Sequence, residues 1–488
     1  MVACLPMRPY RTWLRLAFCA ATLGAAGPAA AEEAQSLSHD AALRLAAERN
    51  ASLMVAGLER ARVAAVAETA RRPYVPQLAF ETAARENTYS AAEVPLFSVP
   101  AGVAQRAVEA VGTLSYASPY GQTVAVAATV TAGLNQASGR LLTVDVSQAL
   151  LRGGFHGGGA DLRQADLDVR IAREVYRAQL NQLLRQTDHA YWDLVYAHED
   201  VEIKRRSCAR ARAQFEETRE NIRRGLLAPG EIYVVEENVV NFDDLRSRAE
   251  ENVAAAESAL RRFLNLPPGA AIEASTAGEA GTVPGAPEAD SLGVAAAKSP
   301  AVVAARLAVE RADVGVGGEV HQALPQLDVF GRFGVASASG ETYDLLLGIP
   351  GDRQLRAGLR GSLPFSWGPD TARVRRAHLE LSQRRSELAD AENAVATAVH
   401  DAAIRVRARE QRLDLASRLV DLGQKKLDNE RDKYKSGLST LADVVRFQHD
   451  LDSALSNASR ARVDVLAART DLLAARGDLP ESVQVSVR

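Results

Sequence analysis

Cysteine is scarce in this chain of 488 residues: of three, Cys4 and Cys19 lie near the amino terminus, leaving Cys208 alone in the remainder. A single thiol closes no intramolecular disulfide, so packing must hold the fold. Cys208 reads as a small apolar residue on a helix, since free cysteine usually behaves as a buried hydrophobe. Beyond the first 31 residues there is no run of about 18 apolar residues, so the sequence offers no transmembrane helix. The eight histidines form no i,i+4 pair and neighbour no cysteine set, so neither a metal site nor a cofactor is expected. No Ser-His-Asp set, nucleophile elbow or phosphate-binding loop is visible, and Gly157-Gly158-Gly159 has no Walker or dinucleotide motif around it. The chain does not read as an enzyme.

What is present begins with an export signature. Arg8, Arg11 and Arg15 precede an apolar stretch from Leu16 to Ala26, and Ala29-Ala30-Ala31 offers a small-residue cleavage site. Residues 1–31 are therefore expected to be a signal peptide, with Glu32 first in the mature chain. Cys19 follows the bulky Phe18, which disfavours lipid attachment there. Removing this segment takes three of 58 basic residues and none of 61 acidic ones, leaving 55 − 61 = −6. That mild acidity argues against nucleic acid as a partner.

The most informative feature is an internal repeat. At an offset of 249, Leu43 falls on Leu292, Leu58 on Leu307, Arg62 on Arg311, and Val75-Pro76-Gln77-Leu78 on Leu324-Pro325-Gln326-Leu327. At an offset of 212, Ala160 falls on Ala372, Leu167 on Leu379, Gly225-Leu226 on Gly437-Leu438, and Glu231 on Asp443. The change of offset, 249 − 212 = 37, gives the first copy about 37 additional residues before its long helix, and insertions of that size are expected in exposed loops. The organisation read from this is a first repeat over 32–268, a Gly/Ala/Pro/Thr-rich linker over 269–288, a second repeat over 289–480 and a tail over 481–488.

Each copy runs through the same change of period. Residues 38–72 and 290–318 have helical spacing. Next come period-two segments: Leu78, Phe80 and Ala84 against Glu81 and Arg85; Leu142, Val144 and Val146 against Thr143, Asp145 and Ser147; Leu327, Val329, Phe333 and Val335 against Asp328 and Arg332; Ala357, Leu359 and Gly361 against Arg356, Arg360 and Ser362. These are strands with one apolar and one polar face. Residues 111–131 also alternate, suggesting a hairpin around Pro119-Tyr120-Gly121 without indicating its place. Residues 160–224 contain neither proline nor glycine, and 65 helical positions would span about 97 Å. Turns at Gly225 and Gly437 return the chain through helices over about 231–264 and up to about 475.

The fold class is thus mainly α with membrane β: long helical hairpins plus strands that suit a barrel with lipid outside and water inside. Four strands cannot close alone, and open edges in hydrocarbon cost several kcal/mol per unpaired group, so a spanning chain must associate with its own copies. The ordered set of Pro-Gln-Leu elements at 76–78 and 325–327, Gln148-Ala149-Leu150-Leu151-Arg152-Gly153 and the two Gly-Leu turns resembles the TolC-like outer membrane efflux protein family. The resemblance implies a homotrimer with one 12-stranded barrel in outer-membrane lipid and one helical tunnel in the periplasm. It also implies a periplasmic adaptor (membrane fusion) protein and an inner-membrane transporter of RND or ABC type as partners. It places adaptor docking at Gly225, Leu226, Leu227, Gly437, Leu438 and Ser439, and the periplasmic entrance at Asp443, Glu231 and Tyr434. Asp443 with Thr440 equally resembles a helix-capping box. Ser439 stands where relatives carry an arginine, and Arg446 where a second acid would follow. Ala190-Tyr191-Trp192-Asp193-Leu194-Val195 reads as helix packing rather than a binding site. A periplasmic adaptor-like protein and a secreted structural coiled coil are the competing readings.

Overall fold

The structure is a computed structural model, and it describes residues 35–88, 104–134, 138–154, 159–270, 272–274, 298–338, 352–363 and 368–483. The expected signal segment, with Cys4 and Cys19, lies outside the described residues, as does most of the expected linker. A short strand β1 (Gln35–Leu37) leads into α1 (His39–Arg49) and α2 (Ala51–Ala70). One residue divides the two helices. Asn50 closes α1 and caps α2, its Oδ1 accepting from the Ser52 and Leu53 amides, the bonding that makes asparagine a favoured N-cap. β1 pairs in parallel with β6 (Ile272–Ala274), a contact the sequence reading did not anticipate.

Two long helical hairpins form the body. α3 (Ala160–Arg223) returns through α4 (Glu231–Leu264), and after α5 (Pro300–Gln322) the second copy repeats the plan with α6 (Gly368–Lys435) and α7 (Leu441–Arg476). A short helix α8 (Leu479–Ser482) follows. The 64 and 68 residues of α3 and α6 correspond to about 96 and about 102 Å. Such lengths preclude one central core, and apolar side chains instead gather in clusters strung along the hairpins. Tyr191, Leu194, Leu260 and Leu264 join α3 to α4; Val399, Ala402 and Leu472 join α6 to α7; and Leu427, Val444 and Leu451 do so nearer the turn. Tyr191 is fully buried and its hydroxyl donates to the Leu37 carbonyl at 3.1 Å, so the aromatic segment is packing.

The two copies are joined where α3 meets α7. Lys204 Nζ donates to Asp452 Oδ2 at 2.5 Å and to Ser456 Oγ at 2.9 Å, while Ser207 Oγ donates to Asp452 Oδ1 at 2.5 Å. Lys204, Ser207 and Asp452 are all buried. An ion pair so enclosed gains little net stability over an apolar replacement, yet losing one partner strands the other. Cys208, one position along α3, is buried as expected; its thiol donates to Asp243 Oδ1 at 3.1 Å, and burial pushes it up from its ordinary pKa.

The six long strands of the described residues form one sheet, separate from the β1–β6 pair. β2 (Gln77–Thr88), β3 (Ala104–Ala117), β4 (Gln122–Gly133), β5 (Gly139–Ala149), β7 (Gln326–Ala338) and β8 (Asp352–Ser362) pair in that order, every pair antiparallel. At 11 to 14 residues each is long enough to cross a bilayer at a tilt, which takes about 9–11. The expectation of an exposed loop for the extra residues of the first copy is therefore corrected. They form the hairpin β3–β4, seated between β2 and β5 with full-length partners on both sides. Ala- and Thr-rich β3 and β4 complete their hydrogen bonds only through these distant neighbours, so alternation alone could not place them.

Candidate functional site

The cross-strand register fixes which side chains share a face. Leu78, Leu114, Val126, Val144, Phe333 and Leu355 lie in one row across all six strands, and Val124, Val146, Gly331 and Ala357 in another on the same face. Of the large apolar side chains exposed on this sheet, Phe80, Val108, Tyr116, Val124, Val130, Val329 and Leu359 share that face too, and only Leu141 stands on the other. On the opposite face Arg356 faces Arg332 and Arg332 faces Asp145, the last two joined at 2.5 Å. Nearby the Arg360 guanidinium sits 5.0 Å from the centre of the Phe330 ring. One face thus offers apolar contact and the other polar groups, while among the described residues β2 and β8 have no strand on their outer sides.

At the far ends of the helices the two turns are built alike. Gly225 and Gly437 have φ of 72° and 73°, a left-handed conformation that glycine adopts without strain. Gly225 N donates to Ile222 O and Leu226 N to Asn221 O; Gly437 N donates to Tyr434 O and Leu438 N to Lys433 O. Both are the paired bonds of a Schellman helix end. In that motif the residue after the glycine commonly packs back on its helix, yet here Leu226 and Leu438 stay 69% and 80% exposed. Leu227 is half-buried. Ser439 turns inward, its Oγ donating to Glu430 Oε1 at 2.5 Å, and that bond together with Lys433 holds the Glu430 carboxyl below the usual range. Glu430 was missed by the sequence reading, because nothing local marks an acid nine residues before a turn as its anchor.

Glu231 opens α4 and Asp443 is the third residue of α7. Thr440 Oγ1 accepts from the Asp443 amide at 3.2 Å and donates to its Oδ2 at 2.6 Å, the geometry of a helix cap. That hydrogen bond, with Arg446 at 3.5 Å, holds the Asp443 carboxyl below its ordinary pKa. Tyr434 packs beside Leu427, Val444 and Leu451. Burial, and then the charges of Glu231 and Glu217, push its phenol up. Tyr434 thus feels the charge of Glu231 from the other hairpin.

Residues 292–478 match the sequence profile described as outer membrane efflux protein. That stretch is an outer membrane efflux protein domain. The whole fold is similar to VceC, an outer membrane protein of Vibrio cholerae, at 15% identity and a TM-score of 0.67 over 90% of this chain and 96% of that one. It is also similar to the CmeC outer membrane channel of Campylobacter jejuni (14% identity, TM-score 0.64, 90% and 86% covered) and the MtrE outer membrane channel of Neisseria gonorrhoeae (17%, 0.62, 90% and 89%). No curated protein matches the chain. The efflux domain holds Tyr434, Gly437, Leu438, Ser439 and Asp443, whereas Gly225, Leu226, Leu227 and Glu231 lie in the first copy, outside the matched stretch. The TolC-like resemblance and the mainly helical fold with a β-sheet portion are borne out.

Proposed function

We propose that the chain is the outer-membrane channel subunit of a tripartite efflux or type I secretion system, a passive conduit assembled from three copies. The sheet carries this reading: one continuous apolar face and two unpaired edges, attached to helices about 100 Å long. Edges open to hydrocarbon are untenable, so β8 of one copy must pair with β2 of the next. The helices project into the periplasm, where Gly225, Leu226, Leu227, Gly437, Leu438 and Ser439 form the contact for a periplasmic adaptor (membrane fusion) protein. An inner-membrane transporter of RND or ABC type then drives the cargo. Asp443, Glu231 and Tyr434 border the periplasmic entrance.

A periplasmic adaptor would share the helices but would have no use for a lipid-facing sheet. The separating experiment is a heat-modification gel on outer-membrane fractions, with the mass of the purified particle measured in detergent. A trimer that resists SDS until boiled is expected. A stable, monodisperse monomer would sink the channel architecture.

A further inference from the structure

Resting on the reading of the chain as a trimeric conduit, we propose that the hairpin β3–β4 enlarges the barrel to eighteen strands, giving a passage for solutes wider than a twelve-stranded wall admits. Without this hairpin each copy of the internal repeat supplies one pair of strands, β2 with β5 and β7 with β8, so three chains would close twelve. With it, the sheet has six strands per chain, and three chains close eighteen.

The hairpin is built as wall. β3 pairs with β2 from Gln77↔Ser115 to Thr88↔Ala104, and β4 pairs with β5 from Gln122↔Gln148 to Thr131↔Gly139. Its turn is locked to the strand-to-helix junction before α3. Ala149 N donates to Gly121 O at 2.9 Å, and Gln148 Nε2 to Tyr120 O at 3.2 Å. Gly121 has φ 79°, and any side chain there would strike the Gly153 carbonyl, so the turn tolerates only glycine.

The two faces of the hairpin give the direction of the effect. Val108, Leu114, Tyr116, Val124, Val126 and Val130 share the apolar face of the whole sheet. The opposite face carries Thr113, Ser115, Thr123, Ala125, Ala127 and Thr129, all small and uncharged, with Val111 beside Thr129 and one charged residue, Glu109, beside Thr131. A wider wall lined with large side chains would refill its own lumen; this lining leaves the added space open. Barrel diameter grows roughly linearly with strand number, so going from twelve to eighteen strands widens the barrel about 1.5-fold and its cross-section about 2.2-fold. The cargo class that benefits is a bulky hydrated solute: hydroxyl and methyl groups impose little charge selection along most of the added wall, and Glu109, the one acid on this face, favours cations at its own level.

The test compares the full chain with a form lacking residues 104–138, in which residues 89–103 join the outer end of β2 to that of β5. Electron cryomicroscopy of the detergent-solubilised full chain should show eighteen strands about a threefold axis. Partitioning of graded polyethylene glycols from the outer side in planar bilayers should give an exclusion radius about one-third smaller for the deletion. Should the deletion fail to insert, single cysteines in the full chain decide. The buried Cys208 leaves a low background, so Ala127→Cys should react with a bulky water-soluble thiol reagent and lose current, while Val126→Cys should not. Twelve strands with the hairpin folded into the lumen, an unchanged exclusion radius, or the reverse labelling pattern would overturn the widening. A particle that forms no pore of any size would refute the conduit itself.

Discussion

Asp443 has a carboxylate that two duties could claim. As a cap it serves its own helix through Thr440; at a threefold entrance, three copies would form an anionic ring that favours cations. Arg446 already meets part of this charge. The hydrogen bond from Thr440, with Arg446 and Lys433, holds the folded pKa below the ordinary 3.8. The carboxylate therefore stays ionised until the pH falls through that lowered value. In planar bilayers, Asp443→Ala is expected to weaken both cation preference and block by multivalent cations, while Tyr434→Phe raises conductance without changing the sign of selectivity. If Asp443→Ala leaves both properties unchanged, the residue is a cap alone. Its local role was legible in the sequence, because a capping box is read within four positions. The anchor from Ser439 to Glu430 and the Lys204–Asp452 pair were not, since each depends on which helix faces which.

At the scale of elements, the contact of α3 with α7 contains a pH-dependent pair. His189 Nε2 lies 3.0 Å from Asp471 Oδ1, and that hydrogen bond raises the histidine pKa above 6.5. Burial pushes Asp471 upward, but the bond and charge of His189, with Arg185, outweigh it and leave the carboxyl below 3.8. A raised histidine contributes stability that is complete below its unfolded pKa and lost as pH rises through the folded one; a lowered aspartate contributes above its unfolded pKa. Both contributions are present between about pH 4 and 6.5. The melting temperature lost in His189→Gln should therefore be largest near pH 5 to 6 and vanish by about pH 9; a deficit independent of pH would exclude the pair.

The hairpin tips offer a different test. Leu226 and Leu438 are exposed at turns, so replacing both with aspartate should spare the SDS-resistant oligomer and abolish export in a strain otherwise unchanged. Wild-type export by the double variant would remove the tips as the docking contact. The turns were legible because a glycine and an apolar residue recur at one offset in two copies. The long helices were legible because proline and glycine are missing from 160–224.

For the whole molecule, the repeat fixed more than any motif. It gave the order of elements in both copies and the need for association, and it located the asymmetry between them to within one interval. It could not say where the extra residues sat: the alternation of 111–131 marked a hairpin, as β3 and β4 are, but the place of a hairpin in a sheet is set by the neighbours at its sides rather than by its own period. The same asymmetry makes stoichiometry decisive. Two copies of a six-stranded sheet would also close twelve strands, but would bring only eight long helices to the tunnel in place of twelve. The particle mass therefore measures which layer, sheet or helix, sets the symmetry.

The antiparallel meander carries one more consequence, a rule of parity. β2 leaves the helical body and β8 comes back to it, so in the proposed channel the chain must cross the membrane an even number of times before each long helix begins. Adding a single strand would deliver α3 to the wrong side of the membrane. It would also set β8 and the next copy's β2 running the same way, in a class of barrels built from antiparallel neighbours. Such a wall can lengthen only by complete hairpins, and under threefold symmetry each hairpin arrives three times. Calibre is then quantised: twelve strands, eighteen, twenty-four, with no intermediate width open to gradual change.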